Sequence, residues 1–248
     1  MTIDKHICGD DDKVLHDIAT HGWHVVMVDA TDYFPSFAYT VGLWKNYKHP
    51  ELISFGLSSQ TLHSILNIGG DIAKSGQRLL TTKVYDDFFE NSPTQILTVD
   101  KRNIADYFGY AIWFYKQKDF TTLQLVWTDR NNKFPWDNDY EKEFEHKQPL
   151  LDRNADFKFR EEKNLAVFTT RQFLDEKKPI LHVVHDIEGD WQFLTNDQFD
   201  EDTKLVGLEE IIKADSTLNE LFNLDYGEQA DRTNIGDKWK RSVCENSD

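Results

Sequence analysis

Between residues 23 and 57 the apolar positions fall in three short runs rather than in helical stripes. WHVVMVDA (23–30), FAYTVGL (37–43) and ELISFGL (51–57) are rich in β-branched and aromatic residues, and they predict three strands. The polar residues 45–48 read as a connection between the second and third runs, and His49-Pro50 stops any helix there. Three strands within about 35 residues favour a meander over a crossover.

Helices are expected where the spacing changes. Val14, Leu15 and Ile18 mark a short helix over 10–20, with acidic residues suited to its amino end. Leu62, Ile65, Leu66, Ile68 and Ile72 line one face of a helix that starts at a Ser58 or Ser59 cap and stops at Ser75-Gly76. Residues 104–115 carry a third helical pattern. Strands are predicted at 95–100 and 122–129, the second closed by a turn at Asn131-Asn132, whereas 77–91 fits no single element.

From 137 to 163 the chain is charged and aperiodic, and reads as a connector lying over the surface. A new pattern follows, with strands at 179–186 and 191–197 joined through Gly189 as a hairpin. One or two helices are predicted over 206–222, and beyond Gly227 a polar tail is expected to fray. The fold class is therefore α+β. Residues 1–150 are read as a curved, mostly antiparallel sheet or split barrel with flanking helices, and 151–248 as a small acidic α+β module.

Four blocks, GWHVVMV, FAYTVGL, HPELISFGL and LQLVWTDRNNKFPW, resemble in order and spacing the bacterial family DUF4262. The resemblance covers roughly residues 22–136. It implies membership of a family and supplies no activity, cofactor or catalytic residue.

Charge narrows the partners. The formal net charge is −16; residues 1–150 contribute −6 and residues 151–248 contribute −10. Such a surface repels phosphate backbones and anionic membranes, so nucleic acid and membrane are not expected partners, and a basic protein is. There is no apolar leader and no run of 18 apolar residues, which leads to an expectation of a cytoplasmic protein.

Chemical motifs are few. His182 and His185 stand three apart on a predicted strand, which places them on opposite faces, and no HExxH or CxxC occurs, so no metal site is expected. Cys8 and Cys244 lie near the termini, where a positioned base is rare. Ser36, Ser54, Ser58 and Ser59 lack a nucleophile elbow, and Gly69-Gly70 fits neither a dinucleotide nor a phosphate loop. Asp129 reads as the stabiliser of a turn. No catalytic residue is assigned.

The aromatic residues suggest a binding groove instead. Tyr39, Thr40, Gly42, Trp44 and Trp127 are candidates to line a groove for a flat ring, or else to fill the interior of the sheet and its rim. His49, Ser54 and Lys83 complete the candidate ligand-binding set, with His49 also readable as a satisfied turn histidine.

Two functions remain open. The first is a non-enzymatic binding protein whose acidic final third engages a basic partner; that third loosely resembles small bacterial immunity-type modules. The alternative is a flavin- or nucleotide-binding protein. The strand order resembles the split barrels of flavin reductases in topology, which implies flavin mononucleotide held through Thr40, Ser54, Ser58 and Lys83. Fold likeness alone does not establish that function.

Overall fold

Phe37–Val41 and Glu51–Phe55 are buried along their whole length and lie side by side in an open sheet. A computed structural model describes residues 11–244, and the described chain divides into two units. The first comprises residues 11–30 and Pro35–Ala155; the second comprises Thr31–Phe34 and the chain from Asp156 onward.

In chain order the first unit holds α1 (Asp11–His21), β1 (His24–Val28), β2 (Phe37–Val41), α2 (Leu43–Tyr47), β3 (Glu51–Phe55) and α3 (Ser59–Lys74). There follow β4 (Val84–Tyr85), β5 (Thr94–Thr98), α4 (Ile104–Tyr107), α5 (Gly109–Tyr115) and β6 (Thr122–Trp127). The sheet order is β1-β2-β3-β6-β5-β4, with β1 and β4 at its edges. The expected meander is present, and every pairing is antiparallel except β3 with β6. The α+β class holds; the sheet is not closed into a barrel.

Continuous burial of β2, β3 and β6 follows from cover on both faces. Under α3 the sheet is aliphatic: Leu62, Ile65 and Leu66 pack with Ala38, Leu52, Ile96 and Leu125. On the other side it is aromatic, with Phe37 and Phe55 each within 5.6 Å of the Tyr107 ring and Tyr39 5.1 Å from Phe108. Ser58 caps α3 by accepting the Thr61 N–H at 3.2 Å. A Cβ on Gly70 would stand 2.3 Å from the Trp23 ring, so the glycine pair in α3 serves close packing.

Two local expectations are corrected. Residues 45–48 are not an open connection, since 43–47 form α2, ended by Lys48 at φ 54°. The helix expected over 104–115 breaks at Phe108, which is fully buried against Tyr39 and Phe120. The break frees the N–H of Tyr110, which donates to the Tyr39 hydroxyl at 3.0 Å.

The connector also differs from its reading. Gln148 and Leu151 are buried, and Gln148 Nε2 donates to the Trp127 carbonyl at 2.8 Å, so the charged stretch is pinned along β6 as far as Leu151.

The second unit holds β7 (Ala166–Thr170), α6 (Arg171–Glu176), β8 (His182–His185), β9 (Trp191–Leu194), β10 (Thr203–Gly207), α7 (Leu208–Ala214), β11 (Glu228–Asp231) and β12 (Lys240–Val243). Its sheet order is β10-β7-β9-β8-β11-β12. The β8–β9 hairpin is as predicted, pairing His185 with Trp191. The last four residues lie outside the described ones; from Gly227 to Cys244 the tail does not fray, since β11 lies between β8 and β12. Arg232 anchors it, bonded to Asp215 and to the Ile180 carbonyl, with its guanidinium 4.3 Å from the Trp239 ring. Tyr33 belongs to this unit; its hydroxyl donates to Glu161, and its ring meets His185 edge-on at 4.7 Å.

Candidate functional site

The sequence-predicted residues part into three groups. Thr40, Gly42 and Trp44 converge on one carboxylate, Glu51, at the start of β3. Thr40 Oγ1 donates to Glu51 Oε2 at 2.6 Å, and the N–H groups of Gly42 and Trp44 donate to Oε1 at 3.0 Å each. The Tyr115 hydroxyl donates to the same oxygen. Burial pushes the Glu51 carboxyl above its ordinary range, while these four donors pull it back. Burial, reinforced by the Glu51 charge, raises the Tyr115 phenol.

Gly42 makes this corner possible. Its φ is +121°, and a Cβ there would stand 2.7 Å from the Gly22 carbonyl oxygen and 2.9 Å from the Trp23 Cα. No motif marks Glu51 in the sequence. Its signal was an acid opening an apolar strand directly after Pro50, a position where a carboxylate needs a dedicated set of donors.

Tyr39, Ser54 and Trp127 form the second group, committed to the interior. Ser54 Oγ donates to the Leu125 carbonyl at 3.0 Å, and Trp127 Nε1 donates to the Phe55 carbonyl at 2.8 Å. Trp127 thus bonds at the far end of β3 from Glu51. His49 and Lys83 stand apart from both groups. His49 is buried; Nδ1 lies 2.8 Å from the Pro50 carbonyl and Nε2 accepts the Leu79 N–H at 3.4 Å. Burial lowers its pKa, and the ring bridges the Pro50 carbonyl and the N–H of Leu79. Lys83 lies 4.7 Å from the Tyr85 ring.

Other candidates resolve simply. Asp129 accepts the N–H groups of Asn131 and Lys133 at 2.8 Å and of Glu141 at 3.0 Å, which makes it the organiser of its turn. His182 bonds Asp231, and His185 is buried on the opposite face, stacked on Trp191 at 4.0 Å. Cys8 lies outside the described residues; Cys244 is half-buried, and burial raises its thiol. Among the described residues, no group of three His, Cys, Asp or Glu side chains is placed to hold a metal ion. No described helix is long and apolar enough to cross a membrane.

A second feature lies at one end of the second sheet. Trp191, His185, Glu228 and Val243 stand in register there, and the Gly227 N–H donates to the His185 carbonyl at 2.8 Å. The Cys244 N–H in turn donates to the Gly227 carbonyl at 2.7 Å. Three segments are thereby aligned, and each presents one exposed apolar side chain: Ile187 at 82% exposure, Tyr226 at 42% and Val243 at 74%. Asp186, Glu188, Asp190, Asp225 and Glu228 surround them in sequence, with no basic residue in segments 186–190, 225–228 or 243–244. The Asp186 carboxylate fixes the turn by accepting the N–H groups of Glu188 and Asp190.

The sequence pattern of one family, a domain of unknown function (DUF4262), matches residues 17–141, a span that contains the whole Glu51 corner. No curated protein and no solved structure matches the chain. With half of its length inside that pattern, the chain belongs to the DUF4262 family.

Proposed function

We propose that this protein acts by binding, and that the end of the second sheet engages a basic protein partner. The observation that carries the reading is the exposure of Ile187, Tyr226 and Val243 together among five carboxylates. Apolar side chains at the centre of a contact supply affinity through desolvation. Like-signed charge around them selects a partner of opposite sign and speeds encounter. An immunity-type role, in which the partner is a basic toxin, is the specific form of this reading. The groups assigned to a flavin phosphate, Thr40, Ser54, Ser58 and Lys83, each have a protein partner already, so the binding reading is carried forward.

The test uses the full chain against immobilised peptides with a fixed apolar centre flanked by Lys/Arg, by Asp/Glu or by neutral residues. Retention on the basic set is expected, lost at about 0.5 M salt and lost in the double variant Glu188→Lys, Asp190→Lys. Equal retention on all three sets, or retention unchanged by the reversal, would sink the proposal.

A further inference from the structure

Four strands end the two sheets, and three of them are blunted. β4 has two residues, β10 carries Lys204, and β12 carries Lys240 and Arg241. Short length and lysines are the usual protection of a sheet edge against pairing with another chain. β1, with the sequence HVVMV, has five residues and neither lysine nor proline. Its one polar side chain, His24, is already bonded to Asp17 Oδ2 at 2.9 Å.

The backbone of that edge follows from its neighbours. The Gly56 N–H donates to the Ser36 carbonyl at 2.7 Å, and Ala38 stands opposite Ser54, so the even-numbered residues of β2 bond toward β3. Antiparallel pairing alternates along a strand, so Phe37, Tyr39 and Val41 bond toward Val28, Val26 and His24. The N–H and carbonyl groups of Val25 and Met27 therefore point away from β2. Among the described residues nothing bonds them.

Helices flank the edge on both faces. Val25 packs with Leu62, Ile65 and Leu66 of α3. His24 alternates to the other face, where its bond to Asp17 ties β1 to α1. Between the helices lies a depression of about 440 Å³, lined by Val25 itself, by Lys13 and Asp17 of α1, and by Asn67, Asp71 and Lys74 of α3. An added strand would run about 4.8 Å from β1, which places it over this depression. Charge selects the kind of chain that fits. At a net charge of −16, the surface at large repels a second copy. Here, however, each flanking helix brings one lysine and one aspartate. A two-fold axis normal to the sheet reverses each helix against its own copy. That turns Lys13 toward Asp17 of the partner subunit and Asp71 toward Lys74 of the partner subunit.

We propose that β1 pairs antiparallel with β1 of a second copy of this chain, Val25 opposite Met27 and Val26 at the axis, so that the two six-stranded sheets join edge to edge. Val25 and Met27 then exchange N–H···O bonds with the copy, and the side chains that meet are all apolar. This interface uses residues of the first unit alone, so it and the partner surface proposed on the second unit can each fail without the other.

Sedimentation velocity of the full chain over a concentration series tests it, together with hydrogen exchange resolved to single amides. A monomer–dimer equilibrium is expected, and the Val25 and Met27 amides should exchange roughly tenfold more slowly in the dimer than in the dilute monomer. Met27→Pro removes an edge N–H that β2 does not use, and should weaken dimerisation roughly a hundredfold. Leu205→Lys, at an exposed position of edge strand β10, should leave it unchanged. Should the melting curve show Met27→Pro to be unfolded, amide exchange in the parent chain decides by itself. A chain that stays monomeric overturns the proposal. So do dimers whose Val25 and Met27 amides exchange as fast as in the monomer, dimers untouched by a folded Met27→Pro, and dimers lost in Leu205→Lys.

Discussion

The hydroxyl of Thr40 donates to Glu51 Oε2 at 2.6 Å while accepting the N–H of Leu52 at 2.9 Å. Side chains thus clasp β2 to β3 just past the last paired residues, Tyr39 and Ile53. Removing Glu51 strands four donors in a dry interior. Glu51→Ala is expected to cost about 3–5 kcal/mol, because each buried neutral donor left without a partner carries a desolvation penalty of about 1–3 kcal/mol. Glu51→Gln keeps one acceptor oxygen for the Gly42 and Trp44 N–H groups and should cost about 1–2 kcal/mol. Urea midpoints of the full chain separate the two; a loss under about 1 kcal/mol for the alanine variant would mean that the stranded donors have found other partners.

Gly42 is irreplaceable for a different reason, since its backbone is left-handed and its neighbours are main-chain atoms that cannot swing aside. Gly42→Ala should destabilise by roughly 3 kcal/mol, from strain and overpacking together. A thermal melt within a degree of the parent would show that the corner can re-form without its positive φ.

The corner also shows what the sequence revealed and what it hid. Strands β1 to β3, α3 with its Ser58 cap and the β8–β9 hairpin all announce themselves by local pattern, because each satisfies its own periodicity. Glu51 does not: its role depends on Tyr115, 64 residues away. The break at Phe108 is hidden for a similar reason, as a tertiary contact with Tyr39 overrides a helical run. Strand β11, EQAD, has a single apolar residue, and its place in the sheet comes from β8 and β12 rather than from its own composition. Of the eight candidate ligand residues, Thr40, Gly42 and Trp44 are brought together. They meet around a carboxylate that no motif marks.

Leu151 looked like part of a surface connector, yet its N–H donates to Gln124 Oε1 at 2.9 Å and its carbonyl accepts from Asp100 and Asn103. Its side chain is fully buried. Leu151→Ala should therefore cost about 3 kcal/mol, the usual loss for a buried leucine. Arg153→Ala, two residues on, loses an exposed ion pair with adjacent Asp152 and a guanidinium contact 5.5 Å from the Trp136 ring, and should stay within about 1 kcal/mol. Matching denaturation curves for the two variants would restore the surface-connector reading.

Asp202 gives the second unit an acid-sensitive brace. Its carboxylate accepts the Phe199 N–H at 3.0 Å, the Gln172 amide at 2.5 Å and Arg171 Nε at 3.1 Å, and these bonds lower its pKa from 3.8 to about 2. A carboxyl with a depressed native pKa takes up its proton in the unfolded chain first, so the unfolded state gains as the medium acidifies. Its stabilisation is complete above the unfolded value and drains away as pH falls through the window from 3.8 to about 2. Asp202→Asn removes the charge at every pH. The melting-temperature gap between parent and Asp202→Asn should hence be constant from neutral pH down to about 5 and shrink progressively below about 4. A gap that stays level through that window would show that the hydrogen bonds around residue 202 do not depend on the ionised carboxylate.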